Sequence, residues 1–155
     1  MRNSKVSYPN LLDITAAGHL ASGEGPVEGA REIREELGVN IPFQDLISIG
    51  QFRDALPLSN NKIDNEWCYL YIYSYKEKLE TLTLQKSEVD NIVCVSVEDF
   101  KEILHSKEPI GINALTYDGE KVEEKTYRLT LENFVPHKLE YYQYIIDKIG
   151  EVAKQ

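Results

Sequence analysis

The stretch Gly18 to Val39, GHLASGEGPVEGAREIREELGV, decides how this chain folds. Gly18, Gly23, Gly25 and Pro26 make a loop that can turn sharply and bring its backbone close to a ligand. Pro26 suits the first position of a helix, where its missing N–H costs nothing, so a helix is predicted to start near Pro26. Val27, Ala30, Ile33 and Leu37 recur at spacings of three and four, which gives one apolar stripe for a core, and Gly38 supplies the stop. At about 100° per residue, Glu32, Glu35 and Glu36 fall within a sector of roughly 100°. Three carboxylates can therefore converge on one point.

Like charges one turn apart weaken a helix by about 0.2 to 0.5 kcal/mol per pair unless something positive lies between them. A hard divalent cation is the natural occupant: magnesium takes oxygen ligands and is usually held by one or two carboxylates together with substrate phosphates, and manganese suits the same donors. The alternative reading is a solvated, Glu-rich helix face with Arg31 and Arg34 as partners. The glycine loop at the start of the helix favours the cation site.

These residues resemble the signature of the Nudix hydrolases: Gly, five residues, Glu, seven residues, then Arg-Glu-aliphatic-x-Glu-Glu-x-Gly-aliphatic. Gly18, Glu24, Arg31, Glu32, Ile33, Glu35, Glu36, Gly38 and Val39 stand at its fixed positions. One departure is visible, since only residues 25–30 separate Glu24 from Arg31, one fewer than the signature has. The resemblance implies an α/β/α sandwich with a mixed sheet and a hydrolase that cleaves the diphosphate linkage of a nucleoside diphosphate derivative or related organic diphosphate, with Mg²⁺ or Mn²⁺ as cofactor. It makes Glu35 and Glu36 the principal metal ligands, Glu32 a further ligand or a base, Arg31 the partner that orients a glutamate, and the Gly18 carbonyl an added ligand.

Further matches lie outside the motif. SYPNLLDITAAGHL, Ser7 to Leu20, and Asp64-Asn65-Glu66-Trp67-Cys68 are similar to a branch related to isopentenyl diphosphate isomerase. Positions 64 and 66 share one face of a strand, so both acids can look into the site. Glu66 is the stronger candidate and competes with Glu32 as proton acceptor. The isomerase itself is disfavoured: Ala17 stands where its catalytic cysteine should be, and His105 and His137 lie in segments that match no ligand position. Cys68 and Cys94 sit in apolar, strand-like runs and read as small buried hydrophobes. His19 reads either as a phosphate contact or as loop packing. Glu88, in Ser87-Glu88-Val89-Asp90, resembles a loop acid that serves as base or orients metal in some members, and reads equally as a solvated acid. A non-catalytic binding module of the same fold is the reading from a different class.

The 155 residues suit one domain, two cysteines give no disulfide framework, and no apolar run matches a membrane span. The lack of a signal peptide makes cytoplasm the default compartment. A net charge of −9 argues against binding long nucleic acid, which requires a basic surface, but not against a small phosphorylated substrate carried with its metal. Strands are expected over Asp45–Asp54, Trp67–Tyr75 and Asn91–Val97, a short helix over Glu98–His105 opened by Ser96 or Val97, loops over Glu108–Lys125, and a terminal helix from an N-cap at Thr130 to Ile149, interrupted or started at Pro136. Leu139, Tyr142, Ile145, Ile146 and Ile149 form its apolar face. Met1 to Lys5 resembles the end of a segment that precedes the motif in the family, which suggests a shortened N-terminus, an open sheet edge and a homodimer. Arg2 and Lys5 are then candidate phosphate contacts.

Overall fold

The computed structural model describes residues 8, 10–57 and 63–154, the side chains of 56, 57 and 63–66 excepted. The motif helix begins at Pro26 and ends at Gly38 as expected, but it forms two pieces: α1, Pro26–Gly29, and α2, Arg31–Leu37. The Gly29-Ala30 step interrupts it, because glycine holds a helix weakly. The break also turns Val27 out of the expected stripe, leaving it 59% exposed, while Leu37 is buried and Ile33 packs beside it. Gly38 closes α2 in the left-handed conformation, φ 70°, and its N–H donates to the Arg34 carbonyl. A Cβ there would stand 2.6 Å from the Thr83 Cβ, so glycine is required by space as well as by backbone angle.

After a short 3₁₀ turn, Phe43–Asp45, strand β1, Ile47–Pro57, pairs antiparallel with β2, Ile63–Ile72. Strand β3, Ile92–Cys94, leads through α3, Val97–His105, into β4, Ile110–Tyr117, and β5, Val122–Leu129. These strands form a second antiparallel sheet in the order β3-β4-β5. Ser96 caps α3 by accepting the Asp99 N–H at 3.0 Å, in the expected place. The chain ends in α4, Leu139–Val152. An isolated parallel bridge joins Leu12, just ahead of the motif, to Phe134.

The α/β layout expected from the sequence holds, with helices packed against strands around two apolar clusters. The larger joins β1, β2, β4, β5, α3 and α4 through residues such as Ile49, Leu70, Ile103, Ile112, Leu129 and Ile146. The smaller gathers Leu37, Leu82, Leu84, Val89 and Tyr117 under α2. Two backbone bonds fasten the end of α2 to the loop after β2: the Thr83 N–H donates to the Leu37 carbonyl at 2.8 Å, and the Gln85 N–H to the Glu36 carbonyl at 2.9 Å.

Four further expectations are corrected. Residues 108–125, expected as loops, carry β4 and the start of β5, and the Asp118-Gly119 pair makes the turn of a hairpin. Asp118 Oδ1 accepts the N–H groups of Glu120 and Lys121, each at 2.9 Å. The terminal helix starts at Leu139, because Thr130 caps only a 3₁₀ turn, Leu131–Asn133, and Pro136 keeps the residue before it extended. Leu139 is exposed at the first turn, whereas Tyr141, Tyr142 and Ile146 carry the buried face. Cys94 is exposed where a buried hydrophobe was expected, because its strand spans only three residues and ends at it.

Candidate metal and diphosphate site

Arg31, the first residue of α2, lies among acids. Its Nη1 donates to Glu24 Oε2 at 2.8 Å, its Nη2 lies 3.2 Å from Glu32 Oε1, and its Nε lies 3.9 Å from Glu35 Oε1. The shortened loop therefore keeps Glu24 in place. Glu24 Oε2 also accepts the Ala21 N–H at 2.8 Å, so the loop folds back on its own acid. That backbone bond, and then Arg31, hold the Glu24 carboxyl below its ordinary pKa, and Glu24 in turn raises the Arg31 guanidinium. Gly25 N–H donates to Glu28 Oε2 at 2.9 Å and seats Pro26 as the opening of α1.

Glu36 points the other way. It is 2% exposed, and its Oε2 accepts the Ala17 N–H at 3.3 Å. A carboxylate so deep in the protein needs such donors, because an uncompensated buried charge is very costly. Glu32 packs directly over Gly18, where any Cβ would overlap its side chain. The spacing of the acids and the glycine thus place Gly18, Ala17, Glu32 and Glu36 side by side. Among the described residues the three acids of α2 do not close into one metal-holding cluster, since the Arg31 guanidinium draws Glu32 and Glu35 toward Glu24 while Glu36 turns inward.

The donor set still suits a hard divalent ion. Glu32, Glu35 and Glu36 offer only oxygen ligands, they occupy consecutive turns of one helix, and the bare Gly18 backbone lets the Glu32 side chain lie directly against it. A cavity of about 980 Å³ opens beside this face. Gly18, His19 and Glu32 line one part of it, and Trp67, Tyr69 and Tyr71 of β2 line another. His19 is exposed there, in keeping with either of its readings.

The remaining candidates fall in different places. Glu66 stands opposite Asp54, and Asp64 opposite Leu56, in the β1–β2 register, although their side chains lie outside the described residues. Arg2 and Lys5 lie outside them altogether. Glu88 sits in a turn whose N–H donates to the Gln85 carbonyl at 2.8 Å, which keeps that turn near the end of α2.

One group of buried acids went unread in the sequence. His137, just before α4, contacts Asp54 Oδ2 of β1 through Nδ1, while its Nε2 lies 3.4 Å from Asp13 Oδ1. Positions 13, 54 and 137 share no period: the tertiary pairing of the Leu12 segment with the Phe134 segment brings Asp13 toward His137, and β1 supplies Asp54 from elsewhere in the fold.

Comparison with known proteins agrees with the geometry. The NUDIX domain model matches residues 1–115. An uncharacterized Nudix hydrolase of Clostridium acetobutylicum is 35% identical over 148 residues, covering 92% of this chain and 69% of that protein. Nudix hydrolase 3 of Arabidopsis thaliana is 34% identical over 111 residues, 69% of this chain and 14% of its own length. No solved structure matches the chain. With the family model spanning most of its length and Glu32 packed over Gly18 as the motif requires, the chain belongs to the NUDIX domain family.

Proposed function

We propose that this protein is a metal-dependent hydrolase that cleaves the diphosphate linkage of a nucleoside diphosphate derivative or a related organic diphosphate. The observation that supports it most is the packing of Glu32 over Gly18 at the edge of the cavity, with Glu36 held just behind by the Ala17 N–H and Arg31 bracing Glu32 and Glu35. Glu35 and Glu36 would hold Mg²⁺ or Mn²⁺, with Glu32 and the Gly18 carbonyl beside them. Such an ion, when bound, polarises a phosphoryl oxygen and makes a bound water more acidic.

The chain's own residues do the rest. Arg31 fixes the direction of Glu32 and Glu35 and offsets their mutual repulsion. Ala17 N–H holds one Glu36 oxygen, which leaves the carboxylate a fixed orientation. Glu32 or Glu66 accepts the proton of the attacking water, a role that contributes about 10²- to 10⁴-fold in typical enzymes. The aromatic wall of β2 covers the organic part of the substrate and keeps bulk water from it.

The test is a panel of nucleoside diphosphate sugars, dinucleoside polyphosphates and alkyl diphosphates, with Mg²⁺ or Mn²⁺, followed by ³¹P NMR. One or more should yield two products that each end in phosphate. Absence of cleavage across the panel with either metal would leave a binding module as the correct reading.

A further inference from the structure

The segment that delivers Ala17 and Gly18 to the site is fastened to the other end of the chain. Leu12 N–H donates to the Asn133 carbonyl and Val135 N–H to the Leu12 carbonyl, each at 2.8 Å. One residue on, Asp13 accepts the Ile14 N–H at 2.8 Å and faces His137 Nε2. The opposite ring nitrogen contacts Asp54, whose side chain is fully buried in β1 and whose other oxygen accepts the Ala55 N–H at 2.8 Å. From α4, Tyr141 stacks on the imidazole at 4.2 Å between centroids, and Tyr142 meets it edge-on at 5.5 Å. The Tyr142 hydroxyl donates to the Val135 carbonyl at 2.7 Å.

A neutral imidazole has a single N–H, so with a carboxylate at each nitrogen one contact would set lone pair against lone pair. Only the imidazolium donates to both. We propose that His137, held as an imidazolium between Asp13 and Asp54, is a positioning residue that locks residues 12–17 against β1 and thereby keeps the Ala17 N–H on Glu36. Its effect on turnover rests on the hydrolase reading, whereas its effect on the segment does not.

A supporting observation concerns its titration. Burial opposes the charge, but Asp13 and Asp54 outweigh it, so the His137 pKa is raised above the ordinary histidine value. The sign follows: a raised folded pKa gives stabilisation that is full below the unfolded value of about 6.5 and is lost as pH rises through the folded value. The segment is therefore fully locked below about pH 6.5 and loosens as pH rises through the folded His137 value.

The experiment combines ¹⁵N NMR of the imidazole with amide hydrogen exchange on the full chain from about pH 6 to 9, a range that brackets the ordinary histidine value. Wild type should show protons on both ring nitrogens, with a midpoint above the ordinary value. Protection of the Leu12, Ala17 and Val135 amides, corrected for intrinsic exchange, should fall about tenfold per pH unit beyond that midpoint. His137→Gln should show low, pH-independent protection. Asp13→Asn, which leaves the Asp54 contact and the fold in place, should move the midpoint toward about 6.5. In the hydrolysis assay, wild-type kcat should decline at the same midpoint with KM unchanged, and the decline should vanish in His137→Gln. A single ring proton at about pH 6, a midpoint at or below the ordinary histidine value of about 6.5, or an Asp13→Asn variant with unaltered midpoint and protection, would overturn the assignment. If no diphosphate is cleaved but exchange behaves as stated, the hydrolase reading fails and the role of His137 stands.

Discussion

Glu36 carries two demands at once, because it lies in the interior yet belongs to a row of acids suited to a cation. Replacing it by glutamine keeps the shape and an oxygen for the Ala17 N–H, so the fold should persist. Losing a group that stabilises developing charge costs about 10²- to 10³-fold in kcat, and Glu36→Gln should fall by that order in any diphosphate assay. Without metal its melting temperature should equal or exceed that of wild type, since removal of a buried charge offsets the weaker hydrogen bond. Unchanged turnover would take Glu36 out of the ligand set. At this scale the sequence was informative where residues share a period: helical spacing alone put Glu32, Glu35 and Glu36 on neighbouring turns. It could not show that Arg31 would draw Glu32 and Glu35 toward Glu24, since that depends on rotamers and on how the loop ahead of α1 folds back on Glu24. The pairing of His137 with Asp54, 83 positions away, left no local trace at all.

The secondary-structure elements divide in the same way. The start at Pro26, the stop at Gly38 and the Ser96 cap were readable because each is a local backbone signal. The β4–β5 hairpin was readable too, in the Asp-Gly pair between alternating apolar residues, but the density of Gly, Pro and charge around it suggested loops. In β4, residues 112, 114 and 116 are buried and 111, 113 and 115 exposed, which is the period a strand requires. The break between α1 and α2 had a weaker signal, Gly29, whose effect depends on what the two pieces pack against. Gly38 offers the sharpest test of an element boundary. A non-glycine residue in the left-handed region costs roughly 1 to 2 kcal/mol, and here the new methyl would also press on Thr83. Gly38→Ala should therefore lower unfolding free energy by at least that amount, read from denaturant midpoints at constant slope. A loss below about 0.5 kcal/mol, the range of an ordinary surface change, would mean that α2 can end elsewhere.

Across the whole molecule, the net charge of −9 and the acid face of α2 act together. The apolar stripe anchors α2 through Leu37 and Ile33, so its acids are held on a firm support and cannot relieve their repulsion by shifting the helix. A divalent ion that binds only the folded chain must then raise its stability by mass action. At a concentration one hundred times its dissociation constant the gain is about 2.7 kcal/mol, which for a domain of 150 to 250 residues corresponds to several degrees, at roughly 2 to 4 °C per kcal/mol. A diffuse attraction of cations to an acidic protein would give part of the same rise, and two controls separate them. NaCl at matched ionic strength supplies the diffuse effect alone, since screening depends on ionic strength. Glu36→Gln changes the net charge by one unit and so keeps nearly all of the diffuse effect while removing one ligand. Mg²⁺ or Mn²⁺ should raise the wild-type melting temperature well beyond the NaCl control, with a saturating dependence on concentration, and should do little for the mutant. Equal shifts in wild type and mutant would show that the acids of α2 are a solvated face and that any ion the protein uses is held by other residues.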